Sequence, residues 1–154
     1  MPTIQAHLQQ NAKAEVNVSA LLTEARSWLD TPYHHQGRLK GVGVDCIGLI
    51  IGVAHALNLS EFDTHDYARI PNANMLESLL AEHMHSIAIR DQMPGDIGLF
   101  TFDREPQHVA FFTEIGILHS YAHVNKCVEH GFNAPWPKRL VAVFRLKGVA
   151  PWPL

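Results

Sequence analysis

The sequence predicts an α+β fold in which N-terminal helices pack on a C-terminal antiparallel β-sheet of about five strands. Apolar residues recur at helical spacing through the first half of the chain, and from residue 97 onward they alternate with a period of two. The links between these later runs are too short to hold crossover helices, so successive strands must be antiparallel neighbours. A hydrophobic fraction of 47% with 18% charged residues, spread over 154 residues, suits one globular domain with a substantial core.

Residues 1–16 are polar and aperiodic and read as a flexible lead-in to a single domain over 17–150. Asn17 or Ser19 can cap a first helix, with Leu21, Leu22, Ala25, Trp28 and Leu29 on one face until Asp30-Thr31-Pro32 stops it. Gly37, Gly41 and Gly43 mark the stretch 33–44 as a loop. A second helix over about 45–57 is apolar nearly all round, which means it is buried. After an irregular stretch over 60–74, Met75, Leu76, Leu79, Leu80 and Ile87 predict an amphipathic third helix with Glu77 and Glu82 outward and His83 and His85 near its end. Pro94-Gly95-Asp96 has the residues of a type II turn and launches a strand over 97–102. Further strands are expected over 108–113, 117–122, 126–129 and 140–146.

The net charge of −3, with scattered basic residues, gives no footprint for nucleic acid. No apolar run approaches the roughly 20 residues of a membrane span, and the first residues lack a basic segment followed by an apolar one, so no signal peptide is expected and synthesis is assigned to the cytoplasm. Two cysteines do not make a disulfide framework, and a Cys46–Cys127 bridge is not expected. Eleven histidines invite a metal reading, through His34-His35, His83-Met84-His85 and the His119/His123 pair. None of these pairs has a third ligand at defined spacing, so they read as surface histidines and no metal or other cofactor is expected.

Cys46 stands at the mouth of the buried second helix, where unpaired N–H groups and the helix dipole favour a thiolate. A cysteine nucleophile needs a distant base, and Gln107-His108-Val109 offers one. It also needs a polar group to orient that base. With a hairpin turn near 113–116, a register that opposes His108 to His119, to Tyr121 or to His123 puts all four on one face. A one-residue slip separates His108 from the others. Cys127 reads as a half-buried strand residue.

Thr31-Pro32-Tyr33, Val44-Asp45-Cys46-Ile47-Gly48-Leu49, Pro94-Gly95-Asp96, Gln107-His108-Val109-Ala110-Phe111 and Ile117-Leu118-His119-Ser120 occur in the order and approximate spacing found in NlpC-type cell-wall cysteine peptidases, which the chain therefore resembles over about 20–146. The longer string from Thr31 to Gly43 resembles the phage-tail branch of that family. The resemblance implies a papain-like fold, with Cys46 as nucleophile, His108 as base and His119 as the orienting residue, His123 being the alternative. It further implies an oxyanion hole formed in part by the Cys46 N–H, a Tyr33 hydroxyl near the same pocket, and Asp45 in contact with the amino end of a peptide. The other role of Asp45 is a helix N-cap. Ile47 departs from the family, whose secreted members commonly carry serine there, so recognition of the peptide end is expected to differ.

The implied activity is a peptidoglycan endopeptidase that cuts the stem peptide between D-glutamate and a diamino acid, with phage tail proteins as partners and the bacterial wall as the place of action. The rivals are a structural tail component that retains the fold without turnover, a zinc hydrolase built from the surplus histidines, and a Cys-dependent acyltransferase.

Overall fold

The computed structural model describes residues 15–69, 74–103 and 105–151. In chain order it contains helix α1 (Val18–Arg26), strands β1 (Arg38–Leu39) and β2 (Gly43–Val44), and helices α2 (Cys46–Ala56) and α3 (Met75–His83). Strands β3 (Met84–Ile87), β4 (Ile97–Phe102), β5 (Glu105–Phe112), β6 (Gly116–Tyr121) and β7 (Lys126–Gly131) follow, then the short helix α4 (Trp136–Arg139) and strand β8 (Leu140–Leu146).

Helix α1 starts where the extended Asn17 accepts a hydrogen bond from the Ala20 N–H at 2.8 Å, satisfying a donor that the first turn leaves open. Val18, Leu21, Leu22 and Ala25 form its buried stripe. Helix α2 buries Ile47, Leu49, Ile50, Ile51, Val53 and Ala54, and it shares one core cluster with α1, with Leu76 and Leu80 of α3, and with Leu99, Val109, Phe111 and Leu118 of the sheet. A helix wrapped on all sides in this way has little freedom to shift, so its first residue is held against the sheet.

The main sheet has six strands in the order β3-β8-β4-β5-β6-β7, and every neighbouring pair is antiparallel. Its other face carries a second cluster of Phe100, Ala110, Phe112, Ile117 and Val143, closed by Trp136 of α4. The Met93–Asp96 turn has the predicted form. Gly95 takes φ +92°, where a side chain is disfavoured, and the Asp96 N–H donates to the Met93 carbonyl at 3.1 Å. Arg145 of β8 grips the buried Asp96 carboxylate with two bonds of 2.7 and 2.9 Å, fixing the turn to the sheet.

The sixth strand is a correction to the expected five. Ile87, expected on the third helix, lies in β3, because the chain leaves α3 at His83 and Met84 turns extended at φ −135°, ψ 165° to pair with the edge of β8. The hydrophobic pattern is shared by the last helical turn and a short edge strand, so periodicity alone did not divide them. The stretch 33–44, expected as a loop, contains the two-stranded ribbon β1-β2. Residues 1–14 of the expected lead-in lie outside the described residues, while Val16 is bonded on both sides at 2.8 Å, from its N–H to the Gly148 carbonyl and from the Ala150 N–H to its own.

Candidate active site

The segment before α2 is held from two directions. Asp30, Thr31 and Tyr33 hydrogen-bond along the outer edge of β7, through Asp30 N–H to the Cys127 carbonyl (3.1 Å), Cys127 N–H to the Thr31 carbonyl (2.9 Å) and Tyr33 N–H to the Asn125 carbonyl (2.8 Å). From the sheet, the buried Ser120 hydroxyl donates to the Val44 carbonyl at 2.7 Å. Gly48 lets the loop lie directly on the helix, since a Cβ there would collide with the Gly37 carbonyl oxygen. Backbone position, side-chain size and strand register thus converge on where Cys46 begins its helix.

Asp45 caps that helix, and its carboxylate is fully used. Oδ1 accepts from the Gly48 N–H at 2.7 Å and from the Arg38 guanidinium at 3.3 Å. Oδ2 accepts from the Gln36 N–H and from the Tyr67 hydroxyl, each at 2.7 Å. Four donors fill the acceptor positions of a carboxylate, and the residue is 2% exposed. Arg38 in turn holds Asp63 at 3.0 Å and the Tyr67 hydroxyl and Thr64 carbonyl at 2.8 Å each, which ties the stretch after α2 to the ribbon before it. The Tyr67 phenol is pushed well above its usual range, by burial first and then by the Asp45 carboxylate it donates to.

A cleft of about 330 Å³ runs past the N-terminus of α2 and is lined by Tyr33, Cys46, Ile47, Tyr67, Arg69, His108 and His123, among others. His108 reaches it through a bend in the sheet. Opposite Phe100, β5 carries Gln107 and β8 carries Val141 as extra residues without a partner, so the ladder on both sides of β4 is offset there. Such bulges turn a strand and re-aim its side chains. The β5-β6 register pairs Phe111 with Leu118 and Phe112 with Ile117, which carried along the strands sets His108 opposite Tyr121. His119 then shares its face.

The two rings meet directly: His108 Nε2 lies 2.5 Å from His119 Nδ1. His123 sits instead in an exposed single turn beyond β6, stacked obliquely on Tyr121 at 5.7 Å between ring centres. A third ring, His130 of β7, continues the row, with its Nε2 2.8 Å from His119 Nε2 and its Nδ1 3.0 Å from the Gly131 carbonyl oxygen. The buried Trp136 indole packs across all three, 5.9, 5.0 and 5.6 Å from the ring centres of His108, His119 and His130. These nitrogens face one another in a line rather than converging on a point. Among the described residues no group of three or more His, Cys, Asp or Glu side chains is arranged to hold a metal ion.

The expected acidification of Cys46 does not hold. Burial pushes its thiol up to about 12 and the neighbouring Asp45 charge adds to this, while the N–H groups of Val109, Ile47 and Cys46 itself pull the other way and lose. His108 is drawn down to about 3, by burial first and then by Arg139 and His130, and His119 to about 2, by burial and its two histidine neighbours. At neutral pH the site therefore holds a protonated Cys46 thiol and uncharged imidazoles at His108 and His119. Tyr33, at the cleft wall, is raised to about 12 by burial and by the Cys46 and Asp45 charges. Both cysteines are free thiols, and Cys127 is fully buried rather than half-buried.

The sequence reading did not single out Arg38, Tyr67, His130 or Trp136. His130 lay one residue past the expected end of β7, where strand parity sets it on the His119 face, opposite Ile117. Arg38 and Tyr67 meet Asp45 only through the long connection after α2, and no local pattern announces that contact.

No protein-family sequence model matches the chain, and no curated protein sequence matches it. Solved structures do. The NlpC/p60 domain of the peptidoglycan hydrolase SagA superposes with a TM-score of 0.61 at 20% identity, covering 85% of this chain and 100% of that domain. An NlpC/p60 family protein from Bacillus cereus gives 0.65 at 20% identity over 89% of this chain, which spans 42% of the Bacillus chain. The peptidoglycan hydrolase RipB from Mycobacterium tuberculosis gives 0.58 at 18% identity, covering 94% of this chain and 68% of that one. Helices before strands, a buried helix that begins at the cleft cysteine, and a wholly antiparallel sheet thus make up an α+β, papain-like fold of the NlpC/p60 type.

Proposed function

We propose that the protein is a cysteine peptidase acting on the stem peptide of peptidoglycan, with Cys46 as nucleophile, His108 as base and His119 as orienting residue. The observation that carries this reading is a cysteine at a buried helix N-terminus, in one cleft with a histidine whose far nitrogen is engaged by a second histidine. As Cys46 Sγ adds to the scissile carbonyl, His108 Nδ1 takes the thiol proton, and the Cys46 N–H donates to the oxyanion. The C–N bond then breaks and His108 returns the proton to the leaving amine. Water, deprotonated by the same nitrogen, adds to the thioester and releases the carboxylate and the thiol.

The NlpC/p60 fold, found in proteins named as peptidoglycan hydrolases, supports the wall as substrate. The motif string from Thr31 to Gly43 supports delivery by a phage tail, and cleavage between D-glutamate and a diamino acid follows the same resemblance. Tyr33 contacts the substrate from the cleft wall. Asp45, offset by Arg38 and with its acceptor positions occupied, reads a peptide amine weakly, and Ile47 supplies no hydroxyl to help. Peptides still attached to glycan are therefore accepted along with free ones.

Mass spectrometry of defined muropeptides and of purified sacculi tests this. Pairs of fragments whose masses sum to that of the intact peptide plus one water, absent with Cys46→Ala and His108→Ala and unaffected by a strong chelator, are expected. No cleavage of either substrate would turn the reading to a structural tail component. Products carrying an added amine or lipid would turn it to an acyltransferase, and zinc-restored activity after chelation to a metallohydrolase.

A further inference from the structure

We propose that His130 is a positioning residue that fixes the direction of hydrogen bonding through the histidine row and so leaves the cleft-facing nitrogen of His108 free to accept a proton. This rests on the proposed roles of Cys46 and His108. The direction comes from the far end of the row. A backbone carbonyl only accepts, so the 3.0 Å contact to the Gly131 oxygen requires the proton of His130 on Nδ1. A neutral imidazole carries one N–H, so His130 Nε2 is then an acceptor, and the 2.8 Å contact requires His119 to donate from Nε2. His119 Nδ1 is left as an acceptor, and His108 must donate to it from Nε2. His108 Nδ1 therefore holds a lone pair.

Without the terminal acceptor the row has two equivalent directions. In the reversed one every proton moves to the opposite nitrogen, and His108 presents an N–H to the cleft, which cannot take a proton from Cys46. Trp136 packs over all three rings and His119 is fully buried, so the middle of the row is shielded from water and its nitrogens must satisfy one another. An unpaired nitrogen inside such a row is costly, and in the reversed direction His130 Nδ1 would set a lone pair against the Gly131 carbonyl oxygen, so the carbonyl decides the direction.

The test begins with the full chain carrying Cys46→Ala and ¹⁵N-labelled histidine, read by long-range ¹H–¹⁵N correlation at neutral pH. His108 and His119 are expected as Nε2–H tautomers and His130 as the Nδ1–H tautomer. His130 found as Nε2–H, or His108 as Nδ1–H, would overturn the proposal without any reference to activity. In the otherwise wild-type chain, His130→Gln places an amide oxygen where His119 can donate to it, and kcat is expected to stay within about threefold. His130→Ala removes the acceptor, and a kcat loss of about tenfold with KM unchanged is expected, less than the 10²–10⁴ that a general base contributes in full. His130→Lys supplies a donor instead, drives the row backwards and should be the worst of the three. Equal kcat in the Gln and Lys variants would also overturn the proposal. If the variants do not fold, the tautomers of the Cys46→Ala chain decide. If the wild type cuts no stem peptide, the tautomers still decide, and only the proposed function falls.

Discussion

Acid should destabilise this protein earlier than its carboxylates predict, because two buried histidines must stay uncharged. His108 and His119 are 9% and 0% exposed, and their folded values lie near 3 and 2 against an ordinary value of 6.5. A histidine held below its unfolded value binds its proton more weakly in the native state. Its contribution to stability is complete above pH 6.5 and is lost as pH falls from there toward the folded value. Between pH 7.5 and pH 5 each such residue forfeits about 2 kcal/mol, at 1.36 kcal/mol per unit, so the pair forfeits about 4 kcal/mol. Against a typical total of about 5–15 kcal/mol this is large. Urea unfolding at half-unit pH steps, in the wild type and in His108→Gln/His119→Asn, gives the measurement. The wild-type curve should lose about 4 kcal/mol more than the variant over that interval, and either single replacement should remove about half of the difference. Parallel curves would refute the reasoning, since they would mean that the histidines take up protons in the native state as readily as in the unfolded one.

The same burial governs the cysteine. Iodoacetamide at neutral pH should label native Cys46 more slowly than an unfolded thiol, with a rate that still climbs above pH 9, and buried Cys127 more slowly again; rapid labelling of Cys46 at pH 6 to 7 would show an ion pair and sink the neutral-site reading. Around Asp45, Arg38→Met should cost about 3 kcal/mol by leaving a buried charge uncompensated, and adding Asp45→Asn should recover part of it, as chemical denaturation of both variants would show. Costs that simply add would mean that the two groups are not coupled.

How far the sequence speaks for this site depends on whether the information is local or assembled by topology. Helix α2 was legible because seven of its residues are buried, leaving an apolar stretch with a polar cap in front of it. Strand β4 and the turn before it were legible because Gly95 at positive φ and a period-two pattern are both local signals. The relation of His108 to His119 was legible only as a face, since parity fixes the side of a sheet that a residue points to and leaves the register open. Here the offset at Gln107 and the Phe111–Leu118 pairing complete what parity began. The ionic state of Cys46 was misjudged for a related reason. A helix N-terminus is visible in the sequence and favours the thiolate. The opposing burial is set by the tertiary packing of the helix end against the core cluster, and Asp45, equally visible as a cap or peptide contact, acts also as a charge beside the sulfur. The two effects oppose each other, and burial is the larger, so the helix end serves to place the thiol. Removal of its proton then falls to His108, which makes the direction of hydrogen bonding through His119 and His130 the quantity on which the chemistry of this cleft turns.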